Sequence, residues 1–102
     1  MIVVRYVFQA KFGRGDALVK ALQQSGRELE SQFAQVRGAR VLTDLSGPFF
    51  TVVNELTFDS LAVWEEARPA LFAQPAFQAM MQQIGDAIES GRTELYTLEE
   101  EG

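Results

Sequence analysis

Residues 39–58 read ARVLTDLSGPFFTVVNELTF, and the order of features here fixes the architecture more firmly than any other part of the chain. Residues 39–45 are apolar and branched enough for a strand, Ser46-Gly47-Pro48 is turn chemistry, and residues 49–58 resume an extended pattern. So short a connection predicts an antiparallel hairpin. Upstream, residues 2–11 alternate, with Ile2, Val4, Tyr6, Phe8 and Ala10 on one face and Val3, Arg5, Val7, Gln9 and Lys11 on the other. Gly13-Arg14-Gly15 reads as a loop, and Asp16 as a helix N-cap. Leu18, Leu22, Leu29, Phe33 and Val36 then keep helical spacing to about residue 36, with Gly38 suited to the helix end.

Downstream of the hairpin, Asp59-Ser60 caps a short helix expected at about 60–68, and Pro69 and Pro75 punctuate the chain beyond it. A second helical piece is expected at about 75–89 from Phe77, Met80, Met81, Ile84 and Ile88, with Gly91 ending it. Residues 92–98 make a fourth strand and residues 99–102 an acidic tail. The order β-α-β-β-α-β is that of a ferredoxin-like α+β fold with a four-stranded antiparallel sheet, spanning residues 1–102 as one domain.

Each helical region has one apolar stripe, so both cover the same face of the sheet. The opposite face combines Val3, Val7, Phe49 and Val53 with Arg5, Thr51 and Glu55. Water is a poor neighbour for so many apolar groups, and a second copy of the chain would cover them. The expected homodimer surface is Arg5, Val7, Phe49, Thr51, Val53 and Glu55.

Composition narrows the function classes. The 102 residues are 47% hydrophobic and 23% charged, a globular balance, with a formal net charge of −5. The nine Lys and Arg are scattered, so nucleic acid is not an expected partner. Without cysteine or histidine, thiolate chemistry, the usual zinc sites and the commonest general base are excluded, and no metal or cofactor is expected. No apolar run approaches the roughly 20 residues of a membrane span, and the N-terminus lacks signal-peptide character. No membrane partner is therefore expected, and a cytoplasmic location is the default.

The stretch FTVVNELTFDSLAVWEEARPALFAQPAFQAMM, residues 50–81, together with the closing SGRTELYTL, resembles the dimeric α+β barrel superfamily, in particular NIPSNAP-like and antibiotic-biosynthesis-monooxygenase-like proteins. That resemblance implies two sheets closing into a barrel across a two-fold axis, with a pocket between sheet and helices in each subunit. Some members oxidise polycyclic phenols without a cofactor, and others degrade haem through a histidine. The absence of histidine disfavours the second branch.

Against that background, Asn54 is the sharpest signal, because a carboxamide on an apolar sheet face costs free energy unless it is paired. It could orient a substrate phenol or merely satisfy a helix end. Trp64 and Tyr6 could wall a pocket or simply pack the core. Phe8, Phe77 and Met81 complete the expected ligand pocket, with Met80 beside them. Arg5 and Glu55 fit an interface ion pair better than a catalytic pair, and Arg68 or Arg92 could reach an anionic ligand.

Three functions are compatible with the residues. The favoured one is a dimeric barrel binding a small apolar or aromatic molecule. The alternatives are a cofactor-independent monooxygenase acting on a phenolic substrate, and an interaction protein with no pocket.

Overall fold

The computed structural model describes residues 1–47 and 49–100. Pro48 of the expected turn and the last two residues of the expected acidic tail lie outside the described residues. Strands β1 (Ile2–Ala10), β2 (Gly38–Thr43), β3 (Thr51–Phe58) and β4 (Ile88–Thr97) form one antiparallel sheet in the spatial order β2-β3-β1-β4. Helices α1 (Gly15–Gln32), α2 (Leu61–Phe72) and α3 (Pro75–Ile84) lie on one side of it. With β1 and β3 central, this is the ferredoxin-like arrangement that the chain order predicts.

The helices bury the even-numbered residues of β1 and β3. Val4, Leu56 and Phe58 meet Leu29, Trp64 and Leu71 in one core cluster. Ala10 and Val52 meet Leu18, Leu22, Met80 and Ile84 in a second. Gly26 lets α1 approach β2 closely, since a Cβ there would stand 3.3 Å from Ala39 Cβ. Among the described residues, no helix is long and apolar enough to cross a membrane.

Several boundaries differ from the sequence expectation, each for a physical reason. Asp16 does not cap α1. Arg14 occupies that position without a side-chain hydrogen bond, and Asp16 lies in the first turn, where its charge complements the helix dipole. α1 stops at Gln32, and Val36 is buried from the connection leading to β2. Gly38 opens β2 opposite Thr57 instead of ending the helix. Ser60 does cap α2, its Oγ accepting from the Val63 amide at 3.2 Å, but α2 runs through Pro69 to Phe72. Burial of Ala67 and Leu71 on either side of the proline holds the helix together across the missing donor.

β3 begins at Thr51 rather than at residue 49. Phe50 takes φ of 61°, the left-handed region, which an L-residue occupies at a cost of about 1–3 kcal/mol. In that conformation its carbonyl accepts from the Ala10 amide at 2.8 Å and its ring packs against the second core cluster. Phe49 therefore sits in the connection, 79% exposed, and not within the sheet. At the other end, α3 stops at Ile84, a 3₁₀ turn spans Gly85–Ala87, and β4 starts at Ile88. Gly91 lies inside β4, opposite Phe8. The pairing of β1 with β4 shifts register between Gln9 and Ala10, so a bulge marks the end of the ladder and leaves residues 2–9 in regular alternation.

Candidate functional site

Cross-strand partners share a face, so register alone assembles the site. On the helix-covered side, Asn54 of β3 pairs with Tyr6 of β1, and Tyr6 pairs with Thr93 of β4. These three polar side chains form a row across the sheet, with Val41 of β2 continuing it beyond Asn54. Above and below the row lie the two core clusters, and between them is a cavity of about 200 Å³.

The cavity floor is Tyr6, Phe8, Asn54 and Leu56, with Thr93 at the margin. α1 contributes Leu22 and Leu29. α2 and α3 contribute Leu71, Phe72, Phe77, Met80 and Met81. Phe72 stacks at a tilt on Phe77, ring centres 5.4 Å apart, and meets the Tyr6 ring edge-on at 6.1 Å. Aromatic faces and edges of this kind suit a flat apolar guest. Thr93 is exposed as well as lining, so the cavity opens beside β4.

Asn54 is 6% exposed, and its Oδ1 is buried without a hydrogen-bond partner among the described residues. An acceptor left unpaired in an apolar site costs about 1–3 kcal/mol, so the protein keeps a destabilising group where an incoming donor would pair with it. The Tyr6 hydroxyl accepts from Trp64 Nε1 at 3.3 Å. Burial pushes its pKa above the usual 10.0, against the opposing effects of the Trp64 hydrogen bond and the Arg68 charge. At neutral pH the phenol is protonated, and its own hydrogen is available to donate.

Of the expected pocket residues, Asn54, Tyr6, Phe8, Phe77 and Met81 do line the cavity. Trp64 does not. It is buried behind Tyr6, where it fixes the phenol, and acts on the cavity only through that bond. Thr93 was not foreseeable as a wall, because the fourth strand gives no face until its register with Tyr6 is known.

On the uncovered side of the sheet, a second row crosses all four strands. Arg40, Glu55, Arg5 and Glu94 succeed one another as register partners on β2, β3, β1 and β4. Arg40 Nε donates to Glu55 Oε1 at 3.0 Å, Arg5 Nε lies 3.6 Å from Glu55 Oε2, and Arg5 Nη1 lies 3.7 Å from Glu94. Glu94 also accepts from Arg92 at 2.7 Å and from the Tyr96 hydroxyl at 2.9 Å. Those two hydrogen bonds, Arg92 first, hold its carboxyl below the ordinary 4.5. Of the expected interface residues, Arg5, Val7, Thr51, Val53 and Glu55 share this face, and Phe49 stands apart in the connection.

No family profile matches the chain, and no curated protein matches it. Solved structures do. An uncharacterised NIPSNAP domain protein from Burkholderia xenovorans is 24% identical with a TM-score of 0.78, the match covering 96% of this chain and 94% of that one. A NIPSNAP family protein of unknown function from Agrobacterium tumefaciens is 23% identical, TM-score 0.77, covering 94% and 86%. A candidate antibiotic biosynthesis monooxygenase from Deinococcus radiodurans is 16% identical, TM-score 0.74, covering 99% and 95%. At these identities the likeness is one of fold, and the neighbours are the two groups that the sequence resembles.

Proposed function

We propose that this protein is a homodimer whose subunits each bind one small, flat, largely apolar molecule between sheet and helices. The observation that carries the binding reading is the unpartnered Asn54 Oδ1 in the wall of an otherwise apolar cavity. Shape sets the size class, since a dry cavity of about 150 Å³ accepts a single benzene ring, so 200 Å³ suits one or two fused rings. Chemistry sets the substituent: a hydroxyl or N–H that donates to Asn54.

Support for the dimer lies in the charged row on the open face. Its signs run plus, minus, plus, minus from Arg40 to Glu94. Turned over by a two-fold axis along the strands between β1 and β3, such a row meets its own copy with opposite charges facing. Arg5 then faces Glu55 of the partner subunit, an isologous and self-complementary contact.

A monooxygenase reading is favoured by fold neighbours alone. Among the described residues, the cavity wall has no carboxylate, lysine or histidine to take a proton from a phenol, and Tyr6 holds its own. Binding is therefore the function that the site supports best.

Isothermal titration with 2-naphthol and with naphthalene tests it. Naphthol should bind more tightly, and Asn54→Leu should make the two indistinguishable. If neither compound binds the native protein, there is no receptor site here. Oxygen consumption on adding naphthol would instead establish the enzyme.

A further inference from the structure

One cation near the cavity differs from the rest. Arg5, Arg14, Arg37, Arg40 and Arg92 each stand within ion-pair distance of a carboxylate. Arg68 and Arg27 do not, among the described residues, and of these two Arg68 lies against aromatic rings. It is the middle member of a helical stripe, four residues from Trp64 and four from Phe72. Its guanidinium carbon lies 5.2 Å from the Trp64 ring centre and 5.8 Å from that of Phe72. Phe72 is a wall of the cavity, and the Arg68 charge reaches the Tyr6 hydroxyl on its floor.

Two aromatic rings flank the guanidinium, a setting in which it can receive a carboxylate at two points. Solvated arginines elsewhere in the chain are either paired or carry no such ring contacts. The Tyr6 hydroxyl, which accepts from Trp64 Nε1, lies on the floor of the same cavity. At the far end of the polar row, Asn54 offers an acceptor.

We infer that the ligand is an aromatic or cyclic carboxylate carrying a hydroxyl or amino group across the ring, with Arg68 receiving the carboxylate beside the Phe72 wall and Asn54 accepting from the buried substituent. This rests on the pocket reading above and adds the charge and polarity of the guest. Arg68 is exposed, so replacing it leaves the core packing in place.

The probes are 4-hydroxybenzoate and its uncharged analogue 4-hydroxybenzamide, which share the donor for Asn54 and differ in charge. In titration calorimetry the carboxylate should bind about tenfold more tightly, the scale of a hydrogen bond to a charged group. Rising salt should erode that preference. Arg68→Gln should abolish it, Arg68→Lys should retain part of it, and Asn54→Leu should weaken both probes alike. Equal binding of the two probes, or a preference that survives Arg68→Gln, overturns the anion site. Should naphthol bind while the carboxylate gains nothing, only the Arg68 assignment falls. Should no ring compound bind at all, the pocket falls with it.

Discussion

Asn54 lowers the stability of the fold that holds it. Its Oδ1 has no partner, and its neighbours in the cavity wall are mostly hydrocarbon. Replacing the carboxamide by an apolar group of similar shape removes that penalty, so Asn54→Leu should raise the free energy of unfolding by about 1 kcal/mol. Urea denaturation of the ligand-free protein measures it, and a loss of stability instead would mean that the amide is satisfied. Asn54 is the most legible candidate residue in the sequence, because a polar group at an apolar alternation stands out whatever the fold. Trp64 is legible only as an aromatic. Its task, holding Tyr6 through Nε1 across 58 residues of chain, depends on a contact that no local pattern encodes. Arg68 is one arginine among several until the two rings flanking it are placed.

β4 is the element on which the sequence says least and the site depends much. Ile84 and Ile88 are four apart, which is helical spacing, yet the helix stops between them. Pairing with β1 decides the matter, because Ile88 meets Ala10 and closes the core there. Gly91 reads as a helix terminator for the same reason. Its place opposite Phe8 has another cause: a Cβ would stand 3.1 Å from Phe8 Cδ1. The Phe8 ring borders the cavity and has somewhere to move. Gly91→Ala should therefore change stability by less than about 1 kcal/mol, since the strand's lost flexibility offsets the strain, while pushing the ring into the ligand's space. Thermal unfolding and naphthol titration on one variant separate these effects, and unchanged affinity would show that Phe8 moves elsewhere. Where elements are long and strongly periodic, as in β1 and α1, the sequence locates them well. Their ends are governed by pairing partners and by the left-handed backbone at Phe50, neither of which is visible locally.

For the molecule as a unit, the open sheet face is less apolar than its sequence suggests. Val7 and Val53 are only 6% and 7% exposed in the chain by itself, lying low between longer neighbours. The case for a second copy thus shifts from greasiness to sign pattern. Arg5→Glu should break the alternation and raise the dimer dissociation constant about tenfold or more. Arg5→Glu combined with Glu55→Arg again sets opposite charges facing across the two-fold and should recover association, as read by sedimentation velocity. A monomeric native protein would remove the proposal. The same row sets an acid limit. Glu94 has its carboxyl held below the ordinary 4.5, so its stabilisation is complete above that value and lost as pH falls through the lower one. Melting temperature should therefore decline below about pH 4.5, and Glu94→Gln should flatten that part of the profile. Finally, the cavity splits the hydrophobic interior into two halves that touch the same sheet but have a gap where a third piece would fit. An occupant would act as a keystone: amide hydrogens in α2 and in α3, which border different halves, should gain protection together once it is in place.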